Sequence, residues 1–182
     1  MDAAFSLETR RLRLRCYRRE DLDDLHTMLS DPQHMRWYPA PFDRETATAW
    51  LERTLQSYET RGFGLLIVEE RATGEFLGTA GPTVQVVEGM EEVELGWHTR
   101  PGRKGEGIAP EAAAAARDWA FANLGVDHLI ALVRPENLAS ARVAEKLGMG
   151  VDREVDHKGL RHRVYRIDRE TTSETRSASS TS

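Results

Sequence analysis

Past the middle of the chain, a run of small residues, Gly105-Glu106-Gly107-Ile108-Ala109, leads directly into PEAAAAARDWAFANLG (Pro110 to Gly125). The second segment is a strong helix former, with a proline near its first turn, five consecutive alanines and a glycine to stop it. Strand-like stretches flank the pair, EEVELGWHT (Glu91 to Thr99) before it and DHLIALVR (Asp127 to Arg134) after it. A strand, a glycine-rich turn, a helix and a buried strand in that order require a layered α/β arrangement. The helix has to cover one face of the sheet that its neighbours build.

The remaining patterns fill in the layers. In RRLRLRCYRR (Arg10 to Arg19), alternation puts Leu12, Leu14 and Cys16 on one face and Arg11, Arg13 and Arg15 on the other. That reads as a strand with a solvated face. Asp21 opens a helix with Leu22, Leu25, Met28 and Leu29 on one side, and Asp43 caps a second helix carrying Ala47, Leu51, Leu55 and Tyr58. FGLLIVEE (Phe63 to Glu70) and EFLGTAGP (Glu75 to Pro82) read as a hairpin, as does VDREVDHKGLRHRVYRI (Val151 to Ile167), turning near Lys158 and Gly159. Asn137 caps a short helix that Gly148 ends. The expected fold class is therefore α/β (α+β), a mixed, mostly antiparallel sheet with helices on both faces. It forms one domain over residues 1–169, and residues 170–182 are expected to be a disordered tail rich in Ser and Thr.

Composition removes several functions. No apolar stretch approaches the ~20 residues that span a bilayer, and the N-terminus does not read as a signal peptide. The single cysteine, Cys16, rules out an internal disulfide and cysteine-rich zinc frameworks, so no metal is expected and a reducing cytoplasm is the simplest location. A net charge of -5 argues against nucleic acid as the main partner.

The glycine-rich turn carries the chemistry. Small residues let successive N–H groups converge, and the following helix adds its unpaired N–H groups and the positive end of its dipole. The product is a seat for phosphate or pyrophosphate, beside Arg103 and Lys104. A Walker A loop would end in Gly-Lys-Ser or Gly-Lys-Thr, whereas this one ends Gly107-Ile108-Ala109-Pro110, which excludes ATP. The third glycine of a dinucleotide fingerprint would fall at Pro110, which excludes NAD. A plain strand-to-helix turn remains the competing reading of the glycines.

Gly105-Glu106-Gly107-Ile108-Ala109-Pro110-Glu111-Ala112 resembles the acyl-CoA pyrophosphate loop of the GNAT acetyltransferases, in particular the ribosomal-protein N-acetyltransferase (Rim-type) branch. LETRRLRLR (Leu7 to Arg15), TGEFLGTAG (Thr73 to Gly81), VELGWHTRP (Val93 to Pro101) and NLASARVAEKLGM (Asn137 to Met149) are similar to further segments of that branch, in the same order. The resemblance implies a sheet whose fourth and fifth strands splay apart, with acetyl-CoA as cosubstrate wedged between them. It further implies backbone contacts to the pantetheine arm from Trp97, His98 and Thr99. The pyrophosphate would be held by Arg103, Lys104, Gly105, Glu106, Gly107, Ile108 and Ala109. Asn137 and Ser140 would face the cofactor from the other side, although an asparagine at a helix start caps N–H groups with or without one, and Trp97 also suits a core. Lys104 replaces the branch's usual tryptophan.

Acetyl transfer to an amine needs a base for the ammonium proton and donors for the oxyanion. Glu94 stands on the strand where relatives often carry such a carboxylate, with His98 as the second catalytic candidate and Glu92 in reserve. A structural carboxylate paired with an arginine is the alternative for Glu94. Many GNAT enzymes place an acidic tyrosine seven residues after the asparagine, a position held here by Ala144. Its absence keeps a non-catalytic acyl-CoA sensor as the alternative to an N-acetyltransferase. Cys16, with no histidine near it in sequence, is not expected to be a nucleophile. The acceptor is expected to be a small-molecule amine or a protein N-terminus, steered by negative charge if cationic. Trp37 and Tyr38, in the loop His34 to Pro39, form its candidate wall or a packed lid. The protein is expected to be a monomer or homodimer.

Overall fold

The computed structural model describes residues 1, 2 and 4–170; the expected tail lies outside the described residues but for Glu170. Eight strands and four α-helices follow the order β1 (Ser6–Glu8), β2 (Leu12–Cys16), α1 (Leu22–Leu29), α2 (Arg44–Thr60), β3 (Leu66–Glu70), β4 (Phe76–Val87), β5 (Met90–Thr99), α3 (Ile108–Asn123), β6 (His128–Val133), α4 (Leu138–Lys146), β7 (Gly150–His157) and β8 (Leu160–Asp168). A short 3-10 turn, Arg19–Asp21, leads into α1. One sheet runs β1-β2-β3-β4-β5-β6-β8-β7.

Local chemistry places these elements. The Asp43 side chain accepts the Thr46 N–H at 2.8 Å and starts α2. Ala112, Ala113, Ala116 and Ala120 form the buried stripe of α3, and side chains this small let the helix lie close against β4 and β5. At Gly78 of β4, φ is 145° and a β-carbon would lie 2.0 Å from the His98 carbonyl oxygen, so only glycine lets β4 approach β5 this closely.

Two expectations are corrected. Arg15 is not on a solvated face, because β2 lies between β1 and β3 and the 3-10 turn folds over it. Its guanidinium reaches Asp21 at 2.7 Å and Glu69 at 2.6 Å with little exposure, a paired charge held by carboxylates on two sides. Next, β4 continues beyond Pro82 to Val87 and turns through Glu88-Gly89 into β5, making one long hairpin. Finally, Ser6–Glu8 forms a strand of its own ahead of β2, so the splayed central pair that the resemblance implies is numbered β5 and β6 in this chain.

Every pairing in the sheet is antiparallel except that of β5 with β6. Those two run parallel and are matched only at Glu94 and Ile130, then part. Ligands bind at such a crevice beyond the carboxyl ends of diverging parallel strands. Cys16 lies far from any such role, being 3% exposed with its thiol pushed up by burial. Cys16→Ala is expected to keep most of the turnover while losing about 1 kcal/mol of stability. An acetylated Cys16 trapped by mass spectrometry during turnover would contradict this.

Candidate active site

A cleft of about 1250 Å³ opens where β5 and β6 part. On the β5 side it is lined by Trp97, His98 and Thr99, then by Arg103, Lys104, Gly105, Gly107, Ile108 and Ala109. Gly107 occupies the N-cap position of α3 at φ 78°, ψ 14°, with no side chain capping the helix. The first-turn N–H groups of Ile108 and Ala109 are thus left for a ligand, while Pro110 has none to offer. Ile108 itself is 4% exposed, so its side chain serves the core and only its backbone faces the turn.

The two charged neighbours differ. Arg103 is clamped by Glu75 at 2.6 Å and Glu106 at 2.9 Å, with Glu70 at 3.5 Å, so its charge is largely spent. Glu106 does not line the cleft: its carboxylate holds Arg103 and its carbonyl accepts from Arg11. Lys104 has no ion pair among the described residues, and burial followed by the nearby Arg36 charge lowers its pKa. It is the unpaired cation of the loop. Across the cleft, Asn137 caps α4 by accepting the Ser140 N–H at 3.3 Å and donates to Ser140 Oγ at 3.0 Å. Both residues line the cleft as well, so capping and facing a ligand coexist.

Glu94 stands at the point of divergence. Its Oε1 accepts the Leu132 N–H at 3.3 Å, a donor that the parting strands leave unmatched, and its Oε2 accepts from Gln85 Nε2 at 2.8 Å. Burial raises its pKa, and the Gln85 and Leu132 hydrogen bonds and the Lys158 charge only partly offset this. Glu92, by contrast, is held by His128 at 2.6 Å and Arg153 at 3.5 Å and does not line the cleft. Strand alternation puts His98 on the same face as Glu94. There His98 Nδ1 meets His34 Nε2 at 3.1 Å, and its Nε2 meets the Tyr38 hydroxyl at 3.1 Å. Trp50 closes edge-on at 6.2 Å. With Tyr38 donating to His98 Nε2, His98 carries its proton on Nδ1 and donates it to His34 Nε2, so both histidines are neutral. Trp37 lines the same wall, under the Arg36 guanidinium at 4.9 Å.

Residues 11–150 match the acetyltransferase (GNAT) domain. The chain belongs to the GNAT acetyltransferases. It is 37% identical over 150 residues to the uncharacterized protein YkkB of Bacillus subtilis, covering 82% of this chain and 87% of YkkB. An acetyltransferase from Agrobacterium tumefaciens is 30% identical and superimposes with a TM-score of 0.81, over 93% of this chain and 97% of that one. RimL, a ribosomal L7/L12 α-N-protein acetyltransferase solved with CoA, shares the fold at 14% identity and a TM-score of 0.73, covering 90% and 98% of the two chains.

Within this GNAT frame, Ala144 is fully buried, so the position of the usual tyrosine belongs to the core. The hydroxyl facing the cleft is that of Tyr38, which is 39% exposed. Gln85, Trp50 and Lys158 are among the lining residues that sequence reasoning missed. Gln85 falls on the unforeseen half of β4, and nothing in the local pattern links it to Glu94. Among the described residues no helix is long and apolar enough to cross a membrane, and no three His, Cys, Asp or Glu side chains converge as a metal site.

The histidine pair has a consequence for stability. Burial first, then neighbouring positive charge, holds His98 down to about 3 and His34 to about 4. The unfolded chain binds protons near the ordinary value of about 6.5, so the native state binds fewer protons below it. Stability is therefore complete above that value and falls as the pH drops toward 5. The expected loss is on the order of 1 kcal/mol per pH unit. A His98→Asn variant should show a flatter dependence of Tm on pH in that window; an unchanged slope would remove His98 from this account.

Proposed function

We propose that this GNAT protein moves an acetyl group from acetyl-CoA directly to an amine, with Glu94 taking the ammonium proton. One observation supports this above all: a single cleft runs from the unoccupied first-turn N–H groups of α3 to a carboxylate of raised pKa. A pyrophosphate suits Lys104 and the N–H groups beyond Gly107, as an anion suits any helix start. The parted edges of β5 and β6, with backbone donors and acceptors at Trp97, His98 and Thr99, suit the amide-bearing pantetheine arm. RimL was solved with CoA, and its shared fold supports this choice of ligand.

The chain's own residues then divide the work. Glu94 accepts a proton from the incoming ammonium, directly or through water, and burial makes it a stronger base than an ordinary carboxylate. The free amine attacks the thioester carbonyl, and backbone N–H groups of β5 stabilise the oxyanion. On collapse the C–S bond breaks, the attacking nitrogen gives up its second proton to water in the cleft, and the thiolate takes a proton. Tyr38, which is partly exposed to solvent, supplies it and is re-protonated from water. Trp37 and Trp50 wall the acceptor and exclude water.

The test is thiol release from acetyl-CoA over a broad amine panel. Amine-dependent release supports transfer. CoA binding without release for any amine would leave the sensor reading, which the buried Ala144 favours.

A further inference from the structure

The overall charge is -5, yet six arginines and three lysines line the cleft against three acidic side chains. Local charge, not the net value, sets the field that a bound substrate meets. Arg61 is paired with Glu91, Arg134 with Glu136, and Arg36 lies over Trp37; the other six basic residues fall into two groups. Lys104 and Arg103 sit on the loop before α3, and Arg142 and Lys146 on α4, where a phosphate-bearing cosubstrate accounts for them. Arg53 on α2, beside Trp50, and Lys158 at the β7–β8 turn, one glutamine away from Glu94, lie on other elements, and the phosphates do not explain them.

The geometry around Lys158 is specific. Its Nζ donates to Gln85 Oε1 at 3.1 Å, and the same amide donates through Nε2 to Glu94 Oε2 at 2.8 Å. One glutamine therefore separates a cation from the carboxylate assigned to the amine. An exposed lysine at a hairpin tip normally extends into water, whereas this one bends back over the cleft. The other two acids of the cleft are already engaged, Glu88 by Arg153 at 3.0 Å and Asp156 by Arg161 at 3.6 Å. Glu94, Lys158 and Arg53 have no ion pair among the described residues. Arg53 packs instead on the Trp50 ring at 5.7 Å. His157 and His162, which also line this end, are shifted down by burial, which disfavours their charged forms.

The acceptor end thus presents one carboxylate and two unpaired cations. We propose that the acceptor carries an anionic group, a carboxylate or phosphate, close to its amine, with the ammonium at Glu94 and the anion at Lys158 and Arg53. A polycation such as a polyamine would satisfy Glu94 and then meet like charge. This inference rests on the transfer reading above, and it reverses the expectation of a cationic acceptor. Two sources share the chemistry: a small free amino acid, and the N-terminus of an acidic peptide.

The test measures kcat/KM for free amino acids, the same amino acids as carboxamides, a peptide beginning Ser-Glu-Glu, its Ser-Gln-Gln counterpart and spermidine. Acid is expected to exceed carboxamide by about tenfold, mainly through KM, with spermidine poorest. If Ser-Glu-Glu leads the panel with the same advantage over Ser-Gln-Gln, the anion belongs to a peptide. Lys158→Glu should abolish or invert the ratio of acid to carboxamide while leaving CoA affinity unchanged, and Lys158→Met should bring it near one. Calorimetry of the same pairs against the CoA-bound protein reads the preference without turnover. A retained acid preference in binding with no thiol release would overturn the transfer reading and keep this one. Equal treatment of acid and carboxamide in both assays, or an unaltered ratio in Lys158→Glu, would overturn the proposal.

Discussion

Gly107→Glu is expected to weaken coenzyme A binding by about a hundredfold or more while leaving a folded protein. The native backbone there is left-handed, at φ 78°, and a β-carbon would sit 3.4 Å from Arg11 Nη2. Left-handed strain on a non-glycine residue costs about 1 kcal/mol, which a domain of this size survives. The binding loss has a different origin. A carboxylate at the N-cap stands among the N–H groups meant for the pyrophosphate and repels its charge. Gly107→Ala carries the same strain without the charge and should lose far less affinity. Calorimetry on both variants separates the two effects. Unchanged affinity in a folded Gly107→Glu protein would mean that the loop does not hold the cosubstrate.

Glu94→Gln should lower kcat by on the order of 100-fold at neutral pH, the usual contribution of a general base. The substitution keeps volume, and its amide oxygen can still accept the Leu132 N–H. The second contact cannot survive unaltered, because two amide nitrogens would then face each other across the Gln85 bond. Gln85 can turn its oxygen toward residue 94 only by presenting its nitrogen to Lys158, a donor against a donor. Modest disturbance of the acceptor end is therefore expected, with CoA affinity barely changed. Raising the pH should recover part of the rate, since free amine then forms without help. A near-normal rate and pH profile would exclude Glu94 as the base and make it a structural carboxylate tying β5 to β6.

Much of this was legible in the sequence because the governing signals are local. The alanine run, the caps at Asp43 and Asn137 and the turn at Lys158-Gly159 each act within a few residues, and all four hold in the structure. The glycine-rich turn was legible for the same reason. Arg15 was not: its position on an alternating strand looks solvated, and only tertiary packing brings Asp21 and Glu69 to it. The link from Lys158 through Gln85 to Glu94 joins two strands and a distant hairpin tip, and no window of sequence contains it. The partnership of His34 with His98 spans a loop and a strand and was equally invisible. Charge was misleading in a related way, since the composition describes the whole surface and the cleft departs from it.

The single match between β5 and β6 makes the sheet two plates with an open seam, five strands on one side and three on the other. Along that seam the backbone lacks the neighbour that a continuous sheet would supply. A ligand bound in the seam takes the place of that neighbour and joins the plates. The unliganded protein is then an incompletely assembled sheet, and its resistance to unfolding rises with the free concentration of whatever fills the gap. Cosubstrate supply would in this way govern how long the protein persists as well as how fast it works.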